Sequence, residues 1–495
     1  MPAVLAVVGT MAVAGVLSLV VDRGRVWLLP DSVTYLGVAH NVAHGLGVTS
    51  PFPNARDPFA ATVTGRGPLV IWPPGYPVLL AALMVTGRTA ATAAQVWSTV
   101  ATVATVGLLA EFTWRTTGRR GLAVMSGGLV AVSTVLAQNA RFALSDVLFT
   151  ALVAGFLLAA AAATAAVGRG SAVLWMLPPL VVAAAMVRWI GLVLVVPAAV
   201  AAAAGRPRSE ARRAAAWQLL VPPVAVAAYV LSGSVPPRTV AWHDVLDPLG
   251  ALRTVGTWFS PAAGSRGLDL VLGSAAAAVV VATAAATLLR PAPRHRSLIV
   301  ATLGSLVVGL VVNGLLFDAS TPWDDRLLLP VAVLVVVLAV DLVADRSVPV
   351  RRAAVAVLAL FAVAQLCAWP SLLSASGSPL GFTGRSWTGM PMAAIDARLD
   401  RYRVVATNRP EVVYLWTHRP SLAVPERFSP ITLEPNRQLG VQLRQLAGSL
   451  AGDGAVVFYD DPTNPRPYLA TEAQVVRTAG LRLVASFPGA RIYAR

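Results

Sequence analysis

Residues 75–87, GYPVLLAALMVTG, decide which way the rest of the chain faces. The run is apolar, yet it is shorter than the roughly 17–25 residues that a membrane-crossing helix needs. It reads as a helix lying along the membrane surface. Outward from it, apolar runs long enough to cross stand at 3–21, 91–113, 121–137, 144–167, 171–187, 189–204, 214–232, 268–289, 297–316, 327–344 and 353–370. The connections 114–120, 168–170, 205–213, 290–296 and 345–352 hold 14 of the 39 arginines in 34 residues. They alternate with connections that hold 11 in about 120 residues. Basic residues collect in cytoplasmic loops. The dense set is therefore cytoplasmic, the N-terminus is inside, and everything after residue 370 is outside. Counting 75–87 as a crossing would turn the dense loops outward. Arg23 and Arg25, just after the first run, are the one local exception.

Composition points the same way. Of 495 residues, 56% are hydrophobic and only 13% charged, with a mean hydropathy of +0.69. A soluble domain carries about a quarter charged residues, so this chain reads as an all-α polytopic protein of the plasma membrane with about 11 spans. The net charge of +16 comes entirely from arginine over acid, since there is no lysine. Its placement between apolar runs assigns it to topology, and no nucleic-acid partner is expected. Cys367 is the single cysteine and can form no disulfide within the chain. No phosphate-binding loop, dinucleotide fingerprint or Gly-x-Ser-x-Gly element is present.

Two segments break the apolar pattern. The first outer loop, 22–90, contains 32–44, SVTYLGVAHNVAH, which reads as a short amphipathic helix. Leu36, Ala39 and Ala43 lie on one side of it, and Thr34, Asn41 and His44 are polar. The tail, 371–495, is charged and alternates short β-like and helical runs, such as RVVATN, EVVYLWT and AVVFYD. It reads as a small extracytoplasmic α/β domain behind a Ser/Gly-rich linker at about 371–390, which leaves 1–370 as the membrane domain.

The chemistry-bearing candidates sit at outer ends of apolar runs. Asp31 follows Pro30 at the start of the first-loop helix, and Asp146 opens the run at 144–167. Each reads either as a helix N-cap or as a boundary carboxylate able to take a proton from a hydroxyl. Arg188 and Arg326 end and begin runs on the outer side. They read either as anchors or as guanidinium forks for phosphate, and Asp324 and Asp325 stand ready to pair with Arg326 or to hold a metal. The segment Trp72-Pro-Pro-Gly-Tyr-Pro77 starts the second surface helix, and Trp and Tyr suit an interface whatever the chemistry. His40 and His44 have metal-ligand spacing but no acid between them. Asp57 and His243 are weaker candidates to line a site.

The run Asp31-Ser-Val-Thr-Tyr35 through Gly45-Leu-Gly47, followed by Trp72-Pro-Pro-Gly-Tyr-Pro77, resembles the first-loop signature of the GT-C superfamily, polytopic glycosyltransferases that use lipid-phosphate-linked sugars. Ser145-Asp146, Arg188-Trp-Ile-Gly191 and Arg326-Leu-Leu-Leu-Pro330 resemble later motifs of its protein mannosyltransferase and aminoarabinose transferase branch. Ser32 stands where that branch often has a second acid, and Ile71-Trp72 where the aminoarabinose enzymes have Glu-Lys. The tail resembles no module of the family. The resemblance implies a hexosyl- or pentosyltransferase that moves a sugar, with inversion, from a polyprenyl-phosphate donor to an extracytoplasmic hydroxyl of a glycan, lipid or protein of the cell envelope. It implies Asp31 and Asp146 as catalytic residues and Tyr35, Trp72, Tyr76, Arg188 and Arg326 as substrate-binding residues. No cofactor is certain, and a divalent cation at Asp146 is left open. The alternatives are a transporter or lipid flippase, which needs charges near the bilayer midplane, and a non-catalytic envelope-assembly partner acting through its tail.

Overall fold

The computed structural model describes residues 2–22, 26–53, 59, 67–69, 71–165, 172–231, 242, 247–261, 265–289, 292–319, 323–375, 380–461 and 464–495. Arg23, Arg25, Asp57 and His243 lie outside the described residues.

The chain is mostly helical and is a multi-pass membrane protein. Each apolar run expected to cross is helical, but the helices are unequal. Six among the described residues are long and apolar enough to span: Ala90–Thr117, Asp146–Ala165, Arg266–Leu289, Arg294–Leu316, Asp325–Ala344 and Val348–Ser374. A seventh candidate is a pair, Arg120–Ala131 and Thr134–Ala140, bent by 50°. Helix length and composition alone thus account for six or seven of the about 11 crossings expected, among the described residues. The physical reason is interruption. Ser133 caps the second half of the bent pair. The runs expected at 171–187 and 189–204, on either side of Arg188, form only the short helix Leu177–Val187 and a 3₁₀ turn, Trp189–Leu194, leading into Val195–Ala203. Arg208–Tyr229 carries charge in its first turns and Pro222-Pro223 inside.

Asp325–Ala344 and Asp146–Ala165 form the middle of the bundle, with 72% and 67% of their most apolar windows buried, against 6% for Arg266–Leu289. A helix apolar all round and open on most sides suits lipid. Hydroxyls inside the bundle close on their own backbone, as Thr105 on the Ala101 carbonyl and Thr302 on the Leu298 carbonyl, which satisfies polar groups where water is absent. Buried Asp341, near the C-terminal end of its helix, is held by His295 at 2.8 Å and Arg296 at 2.7 Å.

The first loop folds over one end of the bundle as helices Pro30–Ala43 and Gly75–Met84, with a small antiparallel ribbon of β1 (Thr49–Ser50) and β2 (Gly67–Pro68). The first-loop helix has no wet face of the kind an interfacial helix shows. Ser32, Thr34, Tyr35 and Asn41 are buried: Tyr35 packs against Trp72 and Tyr76 and Asn41 donates to Thr49, while the C-terminal domain closes on Gly37. A side chain on Gly37 would meet Pro51 and, from that domain, Tyr414.

The C-terminal domain has a five-stranded sheet of β3 (Val404–Thr407), β4 (Leu422–Ala423), β5 (Gly454–Tyr459), β6 (Arg482–Phe487) and β7 (Ala490–Ala494), in the order β4-β3-β5-β7-β6. β3 pairs parallel with both β4 and β5, and β7 pairs antiparallel with β5 and β6. Every residue of β5 is buried, as expected for a central strand covered on both faces. The segment read as a Ser/Gly-rich linker is tied down at its described residues. The helix Val348–Ala375 runs into it, and Phe382 donates to the Leu28 carbonyl at 2.8 Å. Gly381, at φ +66°, lies so close to that carbonyl that a side chain there would collide with it.

Candidate active site

A cavity of about 540 Å³ lies where the first loop, the bundle and the C-terminal domain meet. Asp31, Tyr35, Trp72, Asp146, Arg188 and Arg326 all line it. These six come from five separate stretches of chain. A discontinuity in the helical pattern positions each charged group among them.

Asp31 does not cap its helix. Pro30 takes the first helical position, where its missing N–H costs nothing, and the Ser32 hydroxyl accepts from the Leu29 N–H at 3.1 Å. The cap is thus filled and the Asp31 carboxylate faces the cavity. Its Oδ2 is 3.9 Å from an Arg326 nitrogen, and 36% of the side chain is open. The opening is to the cavity rather than to bulk water. Loss of solvation therefore pushes the carboxyl above the usual aspartate range, against the pull of Arg326, Arg188 and Arg466.

Arg188 is an extended residue, φ −148° and ψ 129°, between an α-helix and a 3₁₀ turn. The break is built on two glycines. A side chain on Gly191 would enter the Ala184–Ala185 backbone, and one on Gly75 would enter the Met186 carbonyl. The Trp189 indole donates to the Ile71 carbonyl at 3.0 Å. The Pro-Pro-Gly start of the second first-loop helix is therefore docked against the very backbone that presents Arg188. Arg188 donates to the Asp146 carboxylate, which is nearly fully buried.

Arg326 opens the central helix. Asp324 caps that helix through the Arg326 and Leu327 N–H groups and also binds the Arg326 Nε at 2.8 Å. Asp325 turns away to accept from the Trp258 indole at 2.9 Å. Among the described residues no three or more His, Cys, Asp or Glu side chains converge as a metal would require. His40 and His44 stack at 4.0 Å outside the cavity wall.

Tyr35 lies in the wall with its hydroxyl 3.4 Å from Ser145 Oγ, and burial pushes its phenol upward. Trp72 meets it edge-on at 6.0 Å. Tyr76, expected to bind substrate, is corrected by the structure. It is 1% exposed, does not line the cavity and packs edge-to-face behind Tyr35 at 5.2 Å. The apolar side of a short helix start is covered by the bundle, so its aromatic ring supports the wall from within.

The roof comes from the C-terminal domain and was not foreseen. Asn408, Glu411, Glu426, Arg466 and Tyr468 line the same cavity. Arg466 binds Glu411 at 2.5 Å, and Arg409 behind them is 3.3 Å from Asp461. One signal was available: polar residues directly follow the β-like runs RVVATN and AVVFYD, and strand ends of this kind carry sites in α/β sheets.

No protein-family model matches the sequence, and no curated protein does. Solved structures match in fold. The arabinofuranosyltransferase AftD from Mycobacteria aligns over 99% of this chain with TM-score 0.57 and 18% identity. The chain spans only 41% of the length of AftD. ArnT from Cupriavidus metallidurans, bound to undecaprenyl phosphate, aligns over 98% of this chain and 97% of its own, with TM-score 0.51 and 15% identity. An oligosaccharyltransferase from Archaeoglobus fulgidus, in complex with Zn and sulfate, aligns over 91% of this chain and 68% of its own, with TM-score 0.53 and 12% identity. The chain therefore has the fold of the GT-C membrane glycosyltransferases.

Proposed function

We propose that the protein is a membrane glycosyltransferase that transfers a sugar from a polyprenyl-phosphate donor to an extracytoplasmic hydroxyl acceptor. The observation that carries this reading is the convergence of Asp31, Arg188 and Arg326 on one cavity beside the bundle. The undecaprenyl phosphate bound to the similarly folded ArnT supports the choice of donor. In the proposed topology the apolar runs make eleven crossings, the N-terminus is cytoplasmic and the cavity opens on the outer face. The arginine-dense connections support that orientation.

Asp31 is the general base. It takes the proton of the acceptor hydroxyl as that oxygen bonds to the anomeric carbon. The bond from that carbon to the phosphate oxygen breaks, and the lipid phosphate leaves with the electron pair. Attack opposite the leaving group inverts the anomeric centre. Arg326 and Arg188 stabilise the charge that grows on the phosphate, and such preorganised donors contribute about 3–4 kcal/mol each to a barrier. Asp146 holds the Arg188 guanidinium in place rather than touching the acceptor, a role its ion pair supports. Buried Asp341 lies near one helix end and is paired with His295 and Arg296, so it is not a midplane charge of the kind the transporter reading needs.

The test incubates purified protein with a radiolabelled polyprenyl-phosphate sugar and follows loss of label from the lipid. The wild type releases sugar to an acceptor. Asp31→Asn keeps expression and lipid-phosphate binding and loses transfer. Wild-type turnover by that variant would remove Asp31 from the mechanism.

A further inference from the structure

The C-terminal sheet presents one end to the cavity. β3 ends at Thr407 and leads to Asn408 and Glu411. β4 ends at Ala423 and leads to Glu426. β5 ends at Tyr459, and the chain beyond it supplies Arg466 and Tyr468. These are the three mutually parallel strands of the domain. The chain leaves β3 toward β4 on one side and later crosses to β5 on the other. β3 and β5 therefore flank a point where strand order reverses. Ligands bind outside the carboxyl ends of parallel strands at such a point. The Asn408 side chain braces it, donating to the Tyr459 carbonyl and accepting from the Tyr459 N–H, both at 2.9 Å.

We propose that this carboxyl edge is the acceptor subsite and that the acceptor is a neutral glycan. The proposal rests on the transferase reading above and names its acceptor. Three observations choose the class. The roof brings the carboxylates of Glu411 and Glu426 to the cavity with one guanidinium, Arg466, which is held by Glu411 at 2.5 Å, and Arg409 stands behind, 3.9 Å from Glu411. An anionic acceptor would meet carboxylates above and the donor phosphate below. An acyl chain would have to desolvate buried carboxylates and an amide, at a cost of several kcal/mol. An extended peptide would need a sheet edge to extend, and of the two edge strands β4 is two residues long and β6 does not line the cavity. Carboxylate, amide and guanidinium groups beside the Tyr468 ring match vicinal hydroxyls and a sugar face. Arg466 and Asp31 line the same cavity, so a sugar held by the roof is near the base. At about 540 Å³ the cavity is in the usual range for small-molecule sites, roughly 300–1,000 Å³.

The experiment reads binding with no donor present. Tryptophan fluorescence of the full-length protein is followed while neutral methyl glycosides are added: di- and trisaccharides of mannose, glucose, galactose and arabinose. The same glucoside oxidised at C6 to the glucuronate and a Ser/Thr-containing hexapeptide are the competing probes. Trp72 and Trp189 line the cavity and report occupancy. At least one neutral glycoside binds, and the glucuronate binds about tenfold more weakly or worse. Tyr468→Ala and the nearly isosteric Glu426→Gln each weaken the glycoside by about tenfold, while Tyr468→Phe keeps most of the affinity. Thermal melts accompany every variant, and Glu426→Gln decides if Tyr468→Ala does not fold. The proposal is overturned if no neutral glycoside binds, if the glucuronate or the peptide binds as tightly, or if Glu426→Gln stays within twofold of wild type. Transfer is not measured here. A failed transfer assay beside intact glycan binding would therefore sink the enzyme reading, and the reverse result would sink only the acceptor.

Discussion

The floor and the roof of the cavity are built in opposite ways. On the floor, single charges stand at breaks in helices: Asp31 after Pro30, Arg188 between an α-helix and a 3₁₀ turn, Arg326 at a capped helix start. In the roof, polar groups follow the ends of three parallel strands. Floor charges are held by caps, glycine contacts and one buried ion pair, which fixes them where charge develops. Roof groups lie just past the strand ends, Glu411 in the first turn of the helix Pro410–Thr417 and the others on connecting segments, where a binding surface can change without disturbing its scaffold. The difference fits the proposed division, with chemistry on the floor and acceptor choice in the roof.

The largest effect is expected on the floor. Asp31→Asn should lower kcat by about 10²–10⁴-fold, the usual worth of a positioned general base, with lipid-phosphate affinity kept. A kcat near wild type in a quantitative transfer assay would move the chemistry away from the floor. Arg326→Gln follows, with a loss of about 10²–10³-fold in kcat measured with the same donor. A loss confined to donor KM would make Arg326 a binding group only.

Gly191→Ala tests how the floor is held. The added methyl enters the Ala184 backbone, and overpacking of this kind costs about 1–3 kcal/mol. The melting temperature should fall and kcat with it, since the Arg188 break must shift. An unchanged melt would show that the turn yields freely.

The smallest effect is a shift in pH dependence, and it ranks floor against roof directly. Asp31 must be ionised to act, and its carboxyl is pushed above the ordinary value of about 3.9 by burial. Activity is therefore lost as pH falls, on a limb lying above the ordinary aspartate range. Arg326 and Arg466 both pull that limb down, Arg326 more strongly. Arg326→Gln should move it further up in a kcat/KM profile, and Arg466→Gln should do so by less. The reverse order would place Arg466 nearer the base than the geometry does.

Much of the floor was legible from residue order. Pro30 before Asp31, a glycine three residues after Arg188 and an acid pair before Arg326 are local signals, and helix ends on one side of a membrane gather in one layer. Tyr76 misled because its motif neighbours face the cavity while its own ring turns into the bundle. Asp146 was legible as a boundary acid, yet its engagement with Arg188 was not. The roof residues stayed hidden because no single strand-end residue carries a motif.

Apolar run length and the short alternating runs of the tail determined a polytopic membrane protein with a mixed C-terminal domain, since both depend only on near neighbours in sequence. Tertiary structure alone decided which carboxylate is engaged by an arginine, which tyrosine reaches the cavity and that the sheet closes over it. Those outcomes depend on packing between segments far apart in the chain, where a glycine contact or a filled cap redirects a side chain without leaving a periodic trace.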